Sequence, residues 1–332
     1  MGQFTYREAR RALIWSVGAS HLLMVLCLFT TKVRLDFYQT AQAYCMAGIP
    51  LSLMFYAYWR RMRRLYALFD TLVAAFLVTT PALVWTYAGM SLALPLADAD
   101  LIAMDEALGF DWWNFISFVD ARPRLAQMLA FAYWSFPYQF LLLPAWFAAL
   151  GNGVRACAFV FCFGLLCLIS SIIGIWYPAL GTYVFYGVGN DDLVNINAKY
   201  GFFFLEQFHA VRDQPEFVLK LQQAAGIVTF PSVHAGVAGL CIWAAWDSRV
   251  LRYPLILLNV AMATSAVSHA NHYLMDVVAG LGIAGLTVSI ATALFYRPSA
   301  DESFVTAAIE RFRYARRRQT VTSEKSPASA SD

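Results

Sequence analysis

An all-α polytopic membrane bundle of about eight transmembrane helices is the fold class this sequence predicts, and three observations predict it. Of 332 residues, 60% are apolar and only 14% charged, with a mean hydropathy of +0.56, more apolar surface than a soluble core of this size buries. Apolar stretches of bilayer-crossing length, about 20 residues, recur along the chain. Arginines gather between alternate stretches.

The predicted spans lie near 12 to 30, 41 to 59, 65 to 90, 126 to 150, 155 to 177, 228 to 247, 254 to 270 and 274 to 296. The first is longer than the apolar region of a cleavable signal and is followed by no small-residue cleavage site, so it reads as a retained span. Pro81 and Pro137 fall inside two spans, where neighbouring helices can accommodate a kink. Residues 95 to 125 are too polar to cross; Trp112 and Trp113 beside Asp105 and Asp111 suit a helix lying in the headgroup zone. The loop from Pro178 to Gly226, polar with interleaved aromatics and a helix-like piece near 213 to 224, is expected to cover that side as a lid or interfacial segment. Beyond Arg297, FVTAAIERFRYARRR forms a basic amphipathic stretch expected on anionic headgroups, and TVTSEKSPASASD a disordered end.

Orientation follows from the cations. Arg7, Arg10 and Arg11 precede the first span, Arg60, Arg61, Arg63 and Arg64 follow the second, and Arg155 precedes the fifth. Arg249 and Arg252 separate the sixth and seventh, and Arg297, Arg311, Arg313 and Arg316 to Arg318 follow the last. The positive-inside rule makes these cytoplasmic, with both termini on that side. Acidic residues mark the other side: Asp98, Asp100, Asp105, Glu106 and Asp111, then Asp191 and Asp192. Cys27, Cys45, Cys157, Cys162, Cys167 and Cys241 all lie in apolar segments without a CxxC pair, which fits small buried hydrophobes rather than disulfides or zinc ligands.

Chemistry concentrates at the exoplasmic boundary. His272 and Asp276 lie four residues apart in NHYLMDVVAG, and His234 lies in TFPSVHAG. On a helix an HxxxD pair shares one face, so Asp276 can hold one ring nitrogen while the other points at a substrate. A second histidine supplies a proton donor. The set makes a histidine nucleophile, its orienting carboxylate and an acid/base partner, enough to move a phosphoryl group. His269, three residues before His272, is a candidate second donor. Asp276 can also cap the last helix. His21 reads as a helix-packing polar group, and His209 carries no reading. A metal set built on HxxxD is the weaker alternative, since carboxylates are scarce close to the motifs, so neither metal nor cofactor is expected. No nucleic-acid partner is expected.

PSVHAG and HYLMDVVAG resemble the second and third signature motifs of the type 2 phosphatidic acid phosphatase superfamily. Within it they most resemble the inositol phosphorylceramide synthase branch, with sphingomyelin synthases more distant. The resemblance covers residues 65 to 296 and implies a six-helix lipid-phosphatase-like core. It implies that His272 is the nucleophile, that Asp276 orients it, that His234 protonates the leaving oxygen, and that Ser232 binds a phosphate oxygen. The chain is thereby divided into two additional N-terminal helices over 1–64, a catalytic membrane domain over 65–297 with exoplasmic loops 95–125 and 178–226, and a basic cytoplasmic tail over 298–332.

Two basic elements of the phosphatase pattern are missing. Where the phosphatases carry a serine-arginine pair, Ser265 is followed by Ala266, and IWYPALGTYVFYG stands where a lysine and an arginine-proline pair would lie. A dianionic monoester needs more compensating donors than a diester, so the substitutions favour a phospholipid headgroup as substrate. Ser232, Ser265, His269 and Lys199 are the candidate substrate-binding groups; Arg212 and Lys220 are further cations of the same loop. The expected activity is transfer of a phospho-headgroup from a phospholipid to a lipid alcohol through a phosphohistidine, in sphingolipid-type metabolism. A lipid phosphate phosphatase is the nearest alternative and a lipid transporter the alternative of another class. A transporter would show midplane charges and repeated halves, and neither is evident. The compact length and the cysteine pattern point to a bacterial inner membrane.

Overall fold

The computed structural model describes residues 5–189 and 192–295; the predicted basic tail over 298–332 lies outside them. The chain is an all-α membrane bundle with a single two-stranded pairing among the described residues. In order it runs α1 (Tyr6–Thr30), β1 (Val33–Leu35), α2 (Phe37–Met46), α3 (Gly48–Trp59), α4 (Arg63–Met90), α5 (Asp98–Ala107), α6 (Trp112–Asp120), α7 (Pro123–Trp134), α8 (Phe136–Ala149) and α9 (Gly153–Trp176). Short α10 (Thr182–Phe185), α11 (Lys199–Phe202), α12 (Leu205–Asp213) and β2 (Phe217–Leu219) follow, and α13 (Val233–Ala245), α14 (Arg252–His269) and α15 (Leu274–Phe295) close the bundle. Helices α1, α4, α9 and α15 are each long and apolar enough to cross a membrane.

Three predicted spans differ in detail. The second is divided at Ala47 into α2 and α3, three residues before Pro50, whose ring and missing N–H disfavour a continuous ladder there. The fourth is divided at Ser135 into α7 and α8, two residues before Pro137, so that proline breaks the helix rather than kinking it. Pro81, by contrast, stays inside an unbroken α4. The sixth span begins at Val233 instead of 228 and has 13 residues, because the five residues before it run non-helically into the site and Ser232 caps the helix.

The hydrophobic core lies between α4, α8, α9, α13 and α15, with Phe159, Leu166, Val237, Leu240 and Cys241 fully buried. Cys157, Cys162, Cys167 and Cys241 are free and buried as small hydrophobes. At the arginine end, Arg155 pairs with Asp247 and with the Trp243 carbonyl, joining the start of α9 to the end of α13. Arg10 and Tyr6 meet Asp70 at 2.8 and 2.7 Å, joining α1 to α4. At the other end β1 pairs in parallel with β2, Val33 opposite Phe217, so the N-terminal helices are hydrogen-bonded to the long loop. That loop is helical over α12, extended at β2 and has one 3-10 turn at Leu221–Gln223, so the helix expected over 213 to 224 is reduced to that turn.

The segment over 95 to 125 forms two short helices, α5 and α6, against this end. Trp112 points inward, stacked on Tyr186 at 4.8 Å between centroids, while Trp113 stays half exposed, so only one of the pair suits a headgroup position. Asp120, at the end of α6, accepts the backbone N–H groups of Val194, Asn195 and Ile196 at 3.0, 2.8 and 2.9 Å. Burial pushes its carboxyl up, but these donors outweigh burial and hold it below the ordinary 3.8. The stability this clamp contributes is therefore present above the unfolded value and lost as pH falls through the lower folded one. Amide exchange at 194–196 is expected to be protected near neutral pH and to lose that protection on acidification below 3.8, and Asp120→Ala is expected to abolish it at every pH. Protection unchanged by acid would contradict the clamp.

Candidate active site

The site begins with a contact between two backbones. Gly280, in the second turn of α15, lies so close to α13 that an added Cβ would stand 2.2 Å from the Ser232 carbonyl oxygen. Small residues at a membrane-helix crossing permit that approach. One turn up, Ser232 N–H donates to the Asp276 carbonyl at 3.0 Å, which fixes the register of the two helix starts. His234 and His272 are thereby brought to 6.5 Å between ring centroids.

His272 is not on the helix that carries Asp276. α14 ends at His269, the chain turns through Ala270 and Asn271, and α15 begins only at Leu274. Asn271 adopts φ 65°, the left-handed region that asparagine tolerates better than most residues. This turn returns His272 over α15, where Nδ1 lies 3.0 Å from Asp276 Oδ2. The same oxygen accepts Tyr273 N–H at 3.0 Å. With Nδ1–H donating to Asp276, Nε2 keeps its lone pair and lies 3.3 Å from the Ser232 hydroxyl. Burial, the dominant influence on His272, lowers its imidazole pKa and favours the neutral, nucleophilic form.

Ser232 is also the N-cap of α13, its hydroxyl accepting Ala235 N–H at 3.3 Å. The first-turn amides of Val233 and His234 precede any intrahelical bond and point out of the helix start, where an anion is favoured. His234 stacks on Tyr133 at 4.5 Å and meets Phe136 at 5.0 Å; the α7–α8 break at Ser135 sets these two rings on either side of it.

The remaining predicted residues are arranged differently. His269 is buried, with Nδ1 2.8 Å from the Ser268 hydroxyl, and the intervening turn takes it off any shared helical face with His272. Ser265 is fully buried and donates to the Met262 carbonyl at 2.7 Å. Lys199 is exposed on α11, two residues from Gly201, whose carbonyl accepts Asn271 Nδ2 at 3.1 Å. Arg212 is committed elsewhere, donating to the Leu94 carbonyl at 2.7 Å.

Sequence reasoning missed the residues that hold the turn. Asn271 Nδ2 also donates to the Leu180 carbonyl at 2.6 Å, and its Oδ1 accepts Tyr183 N–H. Gly181, with φ 90°, leaves room for Asn271, whose carbonyl would lie 2.3 Å from an added Cβ. From α5, Asp98 accepts Tyr273 O–H at 2.7 Å, and Asp105 accepts Leu274 and Met275 N–H at 2.8 Å each. The cap of α15 is thus provided chiefly by Asp105; Asp276 contributes through Tyr273 N–H. Nothing local signals these partners, which lie some 170 residues apart.

Removing the Asn271 amide leaves two carbonyls and one N–H without their partners, a loss of about 3 kcal/mol. Asn271→Gly, which suits φ 65°, is expected to lower the thermal midpoint nearly as much as Asn271→Ala. Recovery by glycine alone would mean that backbone strain, not the hydrogen bonds, matters at this position.

A family model for the PAP2 superfamily matches residues 99–290. That stretch runs from α5 into α15 and contains Ser232, His234, His272 and Asp276. No curated protein and no solved structure matches the chain. With more than half of its length matched, the chain belongs to the PAP2 superfamily.

Proposed function

We propose that this protein is an integral membrane phosphotransferase that moves a phospho-headgroup from a phospholipid to a lipid alcohol, as inositol phosphorylceramide synthases do. Members of the PAP2 superfamily are phosphatases or phosphotransferases, which supports phosphoryl chemistry in general. The observation that carries chemistry through a histidine is the disposition of His272: Nδ1 held by Asp276, Nε2 3.3 Å from the Ser232 hydroxyl, and His234 6.5 Å away; the two missing basic elements favour the diester headgroup.

In the proposed reaction His272 Nε2 attacks the phosphorus of the donor lipid. The bond to the diacylglycerol oxygen breaks, and His234 protonates that oxygen. The headgroup and its phosphorus remain on His272 as a phosphohistidine with one ester bond, to the headgroup. His234 then takes the proton of the acceptor hydroxyl, whose oxygen attacks phosphorus and restores His272. Asp276 stabilises the imidazolium character that develops on attack. Ser232 O–H and the first-turn amides of α13 supply donors to the non-bridging oxygens, sufficient for the single charge of a diester. Lys199 is the proposed contact to the headgroup from the loop. The arginine distribution supports an exoplasmic site with both termini cytoplasmic, and the compact length and cysteine pattern support a bacterial inner membrane.

Both His272→Ala and His234→Ala are expected to lower headgroup transfer in reconstituted membranes by about 10² to 10⁴-fold without loss of expression. Gly280→Ala, which must push α13 and α15 apart, is expected to lower it by about 10²-fold with every polar residue intact. Turnover unchanged in His272→Ala would remove the catalytic assignment. Purified protein given labelled phospholipid should form product only when ceramide or diacylglycerol is added. Phospho-headgroup released to water regardless of acceptor would identify a hydrolase instead.

A further inference from the structure

At the opposite end of the bundle from His272, α1, α3 and α4 border an open cavity of about 620 Å³. It lies where the start of α1, the end of α3 and the start of α4 meet. Arg7, Arg10, Arg11, Arg61, Arg63 and Tyr66 line it, and no carboxylate stands in its wall. Its size falls within the range of small-ligand sites, about 300 to 1,000 Å³.

Only one of the five guanidinium groups is neutralised in place. Arg10 Nε contacts both Asp70 oxygens at 2.8 and 2.9 Å, and its guanidinium carbon lies 5.6 Å from the Tyr66 ring centroid. Tyr6 O–H donates to the same carboxylate at 2.7 Å, so Asp70, outside the cavity wall, is already engaged by Arg10 and Tyr6. Among the described residues no ion pair joins Arg7, Arg11, Arg61 or Arg63 to an acid. Four like charges around one hollow repel each other unless an anion enters it.

The backbone gives an independent sign. Arg61 has φ 58° at the residue after the C-cap of α3, with Met62 N–H on the Ala57 carbonyl at 2.8 Å and Arg61 N–H on Tyr58 at 3.0 Å. This closing motif ordinarily carries glycine at that position. An arginine there accepts a strained conformation and places its charge on the cavity; strain of this kind is retained where a side chain has work to do.

We propose that this cavity binds the phosphate of an acidic phospholipid whose headgroup lies at this face of the membrane, as a site separate from the catalytic one. Guanidinium groups match phosphate oxygens in paired hydrogen bonds. The position at the helix ends, flanked by Tyr58 and Trp59 at 71% and 75% exposure, favours a lipid over a free ion.

The test uses the full chain in phosphatidylcholine nanodiscs, titrated with short-chain phosphatidylglycerol or inorganic phosphate and read by native mass spectrometry. Wild type is expected to retain the acidic lipid, and the Arg11→Gln, Arg61→Gly double variant to bind it about tenfold or more weakly. Glycine suits φ 58°, so Arg61→Gly should fold at least as well as wild type. Arg249→Gln, at the same end but outside the cavity, is expected to bind normally. Equal binding by wild type and the double variant overturns the site. Equal loss in Arg249→Gln reduces it to diffuse surface charge, and inorganic phosphate binding as tightly as the lipid overturns the lipid assignment.

Discussion

The site depends on one junction: Ser232 N–H on the Asp276 carbonyl at 3.0 Å, made reachable by the absence of a side chain at Gly280. That hydrogen bond ties the start of the sixth predicted span to the start of the last. Residues on either side inherit their positions from it. Ser232 can cap α13 and still lie 3.3 Å from His272 Nε2 only because the two backbones nearly touch. A methyl group at 280 would separate them by more than the slack of a hydrogen bond.

Around this junction the aqueous end of the bundle acts as a brace. Three polar side chains, Asp98, Asp105 and Asn271, connect α5, the Pro178–Gly226 loop and the turn before α15 into one hydrogen-bonded unit. A buried turn of this kind carries many main-chain donors and acceptors that water cannot reach, and side chains must satisfy them. The outcome is a buried His272 imidazole, while His234 remains half-buried against two aromatic rings. The proposed two-step transfer asks for this contrast, a fixed imidazole as its nucleophile beside a more open one as its acid/base group, since donor alcohol must leave and acceptor must enter on the same side.

Much of this was legible in the chain. Apolar run lengths marked a helical membrane bundle, in which α1, α4, α9 and α15 are long and apolar enough to cross, and the pairing of His272 with Asp276 followed from a spacing of four even though His272 precedes its helix. Features depending on contacts distant in sequence were not legible. Asp105 capping α15, the parallel match of Val33 with Phe217 and the inward turn of Trp112 have no local periodicity that would betray them. Pro137 was visible but ambiguous, because the same ring can kink a membrane helix or end it. The fold resolved that by setting Tyr133 and Phe136 against His234. His269 misled for a related reason: a spacing of three implies a common face only while the helix continues, and here it stops at that residue.

The central claim is covalent: phosphorus passes through Nε2 of His272. The most direct measurement is rapid quenching of the enzyme with labelled donor phospholipid and no acceptor, followed by peptide mapping under alkaline conditions. The account predicts an acid-labile headgroup-phosphoryl adduct on His272 that is lost on adding acceptor. Label on His234 or another side chain, or transfer proceeding at full rate without any adduct, would contradict it.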